Sequence, residues 1–198
     1  MSSLIKLSNL IDALNERIGR SAIWLVLIAV LISAINAVVR KAFNVSSNAF
    51  LEIQWYLFSG VFLLGAAYTL RHNEHVRIDV LSGRFSKRTQ HKIEIFGTLF
   101  FLLPLCGMMV WLSVPWFMRS FASGEVSANA GGLTLWPAKL LVPVGFILLG
   151  LQGLSELIKR IAVLQGLIPD PTERHDLPTA EENLIEELRK AQEAKNNA

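Results

Sequence analysis

The chain has 198 residues, a formal net charge of +3 and a mean hydropathy of +0.42, with 52% hydrophobic and 18% charged residues. A soluble domain carries roughly a quarter charged residues; the deficit here falls in long apolar windows, which excludes an ordinary water-soluble globule. The basic residues cluster beside those windows as membrane-flanking charge and so give no argument for nucleic acid, and the single cysteine, Cys106, excludes an internal disulfide or a multi-cysteine metal site.

Residues 1–20 come first in chain order. Leu4, Leu7, Ile11, Leu14 and Ile18 recur at spacings of three and four, with Ser8, Asp12, Asn15 and Glu16 opposite them. This predicts an amphipathic helix lying on the cytoplasmic membrane surface or against a partner helix. The apolar run that begins near Ala22 is too long for a cleaved signal peptide and reads as a signal anchor that stays in the protein.

Four windows contain no charged residue: 22–39, 53–70, 95–118 and 140–155. Crossing ~30 Å of hydrocarbon takes about 20 helical residues at ~1.5 Å each. Helix is the required state, because lipid offers backbone groups no other partner in separate segments of this kind. Residues 21–165 are therefore expected to form four transmembrane helices, at about 21–40, 51–70, 93–117 and 137–160. Between the second and third, the loop 71–92 is expected to hold a short interfacial helix around 78–81, with Ser86 as a cap for the third span. Residues 166–198 form a polar tail. There Thr179 and Glu182 make a capping-box pattern, and 180–194 predict a short soluble helix. Its apolar content, Leu184, Ile185 and Leu188, is too small for a core, so the tail reads as a mobile extension.

Orientation follows from the basic residues. With the N-terminus inside, the cytoplasmic flanks hold eleven Lys and Arg, six of them between Arg71 and Lys92, and the outer loops hold four: Arg40, Lys41, Arg119 and Lys139. That asymmetry places both termini in the cytoplasm. The expected fold is an all-α integral membrane protein of four spans, N-in and C-in.

The windows also lack most kinds of chemistry. All four histidines (His72, His75, His91, His175) lie outside them, which argues against a haem-anchoring subunit. No Asp, Glu, Lys, Arg or His lies inside them to carry protons. Their polar residues, Gln152 among them, read as helix-packing glue rather than a pore stripe. The chain is expected to be no enzyme, to hold no cofactor and to carry no solute alone.

Several residues have two readings. Glu52 stands at the outer start of the second span, near Arg40 and Lys41. It is either an ion pair fixing how two helices meet, within the chain or with a partner, or an interfacial carboxylate at a positive helix N-terminus. His72 and His75 would share a helical face, but no third ligand is evident, so His75 and Asp79 read as structural residues orienting the exit from the second span. Glu156, Lys159 and Arg160 read as solvated interface charge. Trp24, Trp55, Trp116 and Trp136 match an aromatic belt, and Pro104, Pro115 and Pro143 point to kinks.

The second span and its exit, Glu52-Ile53-Gln54-Trp55-Tyr56-Leu57-Phe58, then Gly65-Ala66-Ala67-Tyr68-Thr69-Leu70-Arg71, then His75-Val76-Arg77-Ile78-Asp79, carry a resemblance. With Gly124-Glu125, Trp136-Pro137 and Pro143-Val144-Gly145-Phe146, this order resembles the small membrane subunit, DctQ-like, of tripartite ATP-independent periplasmic (TRAP) transporters, over about residues 15–165. Asn73-Glu74 departs from the pattern, since many members carry glycine there.

The resemblance implies a three-part system in the bacterial inner membrane. A periplasmic solute-binding protein captures an organic-acid-like solute. A large membrane subunit moves it by an elevator motion driven by an ion gradient, typically of sodium. The small subunit is part of the fixed scaffold, in contact with membrane lipids. On that implication Glu52, Arg71, His75, Asp79, Arg40, Trp136 and Pro143 are candidate interface or packing residues. The competing reading, a membrane anchor for an oxidoreductase complex, fits four spans and a cytoplasmic tail but not the histidine positions.

Overall fold

The computed structural model describes residues 2–43, 47–72 and 86–169. Four helices run through them: α1 (Ser2–Phe43), α2 (Asn48–Arg71), α3 (Lys87–Ser123) and α4 (Trp136–Leu164). Each is long and apolar enough to cross a membrane, as the charge-free windows require, and the chain is a multi-pass membrane protein. The interfacial helix expected around 78–81 and the terminal helix at 180–194 lie outside the described residues.

The core follows α4, which packs on each of the other three helices. In its most apolar 18-residue window 39% of residues are buried, against no more than 11% in the other helices, so α4 is the central post. Small residues allow the close approach. A Cβ on Gly145 would stand 2.8 Å from the Leu63 Cβ and 3.0 Å from the Leu63 carbonyl oxygen, so α4 rests directly on the α2 backbone.

The amphipathic segment and the first span form one continuous helix. At ~1.5 Å per residue, the 42 residues of α1 reach ~63 Å, about twice the hydrocarbon thickness. The polar stripe of its first half faces α4: Ser8, Asp12 and Asn15 are buried, whereas Leu4, Leu7, Leu10 and Leu14 are exposed. Of the two placements expected for this segment, the structure has it against a partner helix.

Local chemistry sets the helix ends. Ser47 caps α2 by accepting the Ala49 amide at 3.3 Å. Ser86 occupies the N-cap position of α3, where its hydroxyl meets the Thr89 hydroxyl at 3.0 Å. One π turn, Thr98–Leu102, interrupts α3 just before Pro104, and the Leu103 amide donates to the Thr98 carbonyl five residues back. The wider turn relieves the clash that the proline ring would otherwise make with the preceding turn. Gly124, at φ 59°, ends α3 in the left-handed conformation that a side chain would oppose.

Candidate functional site: polar layers at the two ends of the bundle

The polar contacts that join one helix or loop to another gather in two layers among the described residues, one where α1 begins and α4 ends, the other around the loop between α3 and α4.

At the first end, α1 and α4 are joined through a buried network. The Ser8 and Ser155 hydroxyls lie 2.7 Å apart, and Ser155 also donates to Asp12 Oδ1 at 2.7 Å. One turn deeper, Asn15 Nδ2 donates to Gln152 Oε1 at 2.8 Å, and Gln152 Nε2 reaches Asp12 Oδ1 at 3.1 Å and Glu156 Oε1 at 3.2 Å. Lys159 Nζ closes the network, 2.5 Å from Asp12 Oδ2 and 3.0 Å from Glu156 Oε1. Two carboxylates thus share one ammonium, and neutral donors add to it, Ser155 and Gln152 on Asp12 Oδ1 and Gln152 again on Glu156 Oε1. A buried charge cluster persists only when satisfied in this way.

The other two helices are tied to the same layer. Arg71 of α2 donates to the Asp12 carbonyl at 2.8 Å and to Glu16 Oε2 at 2.6 Å, and Glu16 also meets Arg20 at 2.7 Å. His72 Nε2 lies 3.5 Å from Glu16 Oε2, with its ring stacked at a tilt on Tyr68, 4.1 Å between centroids. On α3, Glu94 pairs with Arg160 of α4, and Arg160 Nη1 approaches His91 Nδ1 at 3.4 Å.

At the second end, α2 grips the loop 124–135. Glu52 accepts from the Ser127 hydroxyl, from Asn129 Nδ2 at 2.8 Å and from the Leu133 amide at 2.7 Å. Asn48 Nδ2 donates to the Ala130 carbonyl at 3.1 Å, and the Tyr56 hydroxyl donates to the Thr134 carbonyl at 3.1 Å. Asn48, Glu52 and Tyr56 stand four residues apart, on one stripe of α2. The loop is fastened to α4 as well: Lys139 pairs with Glu125 and lies over the Trp116 ring, 4.7 Å from its centroid. That ammonium holds the Glu125 carboxyl below the ordinary carboxylate range. Trp136 meets Phe121 edge to face at 5.4 Å, closing the end of α3 on the start of α4.

Set against the sequence candidates, the structure brings Arg71 into the α1–α2 seam and Trp136 into the α3–α4 seam, and it buries Pro143 along α4. His75 and Asp79 lie outside the described residues, which also leaves the His72–His75 pair untested. Two readings are corrected. Glu52 gives its oxygens to the loop 124–135 rather than to Arg40 and Lys41, while Arg40 is exposed in the last turn of α1, where a cation complements the negative helix end. Glu156, Lys159 and Arg160 are not a solvated fringe, because the first half of α1 and the start of α3 cover that face of α4. Sequence reading missed the junction of Asp12, Asn15, Gln152 and Ser155; its only sequence signals were Gln152 inside an apolar window and Asp12 and Asn15 on the polar face of 1–20.

These contacts lock helices to one another. Among the described residues, no group of three His, Cys, Asp or Glu could hold a metal ion.

Comparison with known proteins places this bundle. The profile of the family described as "Tripartite ATP-independent periplasmic transporters, DctQ component" matches residues 29–163. A "C4-dicarboxylate TRAP transporter small permease protein DctQ" of Pseudomonas aeruginosa is 30% identical over 107 residues, 53% of this chain and 50% of that protein. The match thus spans about half the length of that relative. With four spanning helices and a family match that runs from the first span into the fourth, the chain belongs to the DctQ component family of tripartite ATP-independent periplasmic transporters.

Proposed function

We propose that this chain is the small, non-catalytic permease subunit of a TRAP-type secondary transporter in the bacterial inner membrane, with both termini in the cytoplasm. It braces a large elevator-type subunit during ion-gradient-driven uptake of an organic-acid-like solute delivered by a periplasmic binding protein. The observation that carries this reading is the division of the bundle into two fastened ends and an empty middle. On α2, Glu52 and Arg71 are 19 residues apart, ~28 Å at ~1.5 Å per residue, and no charged residue lies between them. The charge-free windows of the other spans match it. A middle with nothing to ionise suits a fixed brace and gives protons or ions no relay, while the polar layers resist tilting of one helix against another.

Of the sequence candidates, Arg40 is exposed and would meet a partner directly, while Glu52, Arg71, Trp136 and Pro143, with contacts inside the chain, would act through packing. The test is purification in mild detergent followed by reconstitution. A much larger polytopic protein is expected to copurify, and Glu52→Ala and Arg71→Ala are expected to weaken that complex or lower uptake. Solute flux in liposomes holding this chain alone would overturn the proposal.

A further inference from the structure

A groove of about 570 Å³ runs between α1 and α2 on the outside of the bundle. Ile23 and Val26 line one wall and Phe62, Gly65 and Thr69 the other, with Ile23 and Phe62 as its rims, 69% and 79% exposed. At one end the Tyr68 ring lies directly on the Gly19 backbone, where a Cβ would meet it at 2.5 Å. A Cβ on Gly65, by contrast, would meet nothing within 4 Å, so the α2 wall has a gap that the chain leaves unfilled.

The length of the groove selects its occupant. The seven residues from Gly19 to Val26 rise ~10 Å at ~1.5 Å each, which falls within one leaflet of a ~30 Å hydrocarbon layer. A partner's spanning helix needs a seam through both leaflets, whereas a single acyl chain needs only this one. The end nearer the membrane surface carries charge that a headgroup can use. Arg20, the last charged residue before the apolar run, lies three positions before Ile23 and so beside that rim, and its side chain is 73% exposed. Glu16 accepts from Arg20 at 2.7 Å and from Arg71 at 2.6 Å, so two guanidiniums share one carboxylate. The neighbouring acids, Asp12 and Glu156, are buried against Lys159. Positive charge is thus in excess at the mouth of an apolar groove, the complement of a lipid with an anionic headgroup. We propose that this groove binds an anionic phospholipid, with one acyl chain between α1 and α2 and the phosphate on Arg20, in the leaflet that the topology proposed above makes cytoplasmic. Bound there, the lipid completes the α1–α2 face where side chains leave a gap.

Photolabelling of the assembled complex in phosphatidylcholine vesicles tests this. The vesicles are doped with phosphatidylglycerol carrying a diazirine on one acyl chain, or with phosphatidylcholine carrying the same chain, and labelled peptides are located by mass spectrometry. Peptides holding residues 22–26 and 61–69 are expected to take more label from the phosphatidylglycerol, roughly fivefold for the ~1 kcal/mol that one basic residue contributes near an anionic surface. Arg20→Gln should bring the two lipids level without lowering the melting temperature, since the ion pair it removes is exposed. Gly65→Leu, whose side chain enters the groove without striking the protein, should remove most of the groove label from both lipids. Equal labelling by the two lipids in the unaltered protein would overturn the proposal. So would label that survives Gly65→Leu undiminished, or a groove left unlabelled while other spans of this chain take label, which would mean that a partner helix covers it.

Discussion

Gln152 donates to two carboxylates and accepts from Asn15, so a single amide joins both sides of the α1–α4 seam. In the sequence it is one polar residue in an apolar window, and Asn15 is one polar residue on an amphipathic face 137 positions away. Nothing local marks them as partners. Lys159 has the larger energetic role, because its removal strands two buried carboxylates. Lys159→Met, close in length, is expected to cost about 3 kcal/mol, read as a lower melting temperature of the detergent-solubilised protein. Adding Asp12→Asn and Glu156→Gln, which removes the stranded charge, should recover most of that loss. Glu52 teaches the converse: its position at the start of a span was legible from sequence, but its partners, Ser127, Asn129 and Leu133, were not, because they lie 75 or more residues away in a loop without periodicity.

Helices were the most legible elements, because a charge-free window of the right length has one stable answer in lipid. Their rotation was not legible. α1 turns its serine, aspartate and asparagine toward α4 and its leucines outward, the reverse of what an amphipathic helix does on a water-soluble core. Hydrophobic patterning cannot choose between these orientations when the surroundings are themselves partly apolar. The spacing between α2 and α4 likewise depends on one missing side chain. Gly145→Val would drive methyl groups into the Leu63 backbone, an overpacking cost of about 1–3 kcal/mol. The expected result is a lower melting temperature with helical circular dichroism retained at ambient temperature, since the change parts two helices without unfolding either.

Across the whole molecule, the two polar layers are separated by most of the membrane thickness and share no side chain. Losses of melting temperature from Glu52→Ala and Lys159→Met are therefore expected to add in the double variant, as for distant sites with no common partner. A clearly non-additive result would mean that α2 or α4 transmits strain between the ends. The sequence by itself determined the solvent, the number of helices and the charge-free middle, because lipid penalises every unpaired backbone group and charge in the same way wherever it occurs. Only the tertiary structure decided which polar residues meet, which face α1 turns inward and what Glu52 holds. Those pairings depend on how separate helices approach and rotate, and no spacing along one helix encodes them.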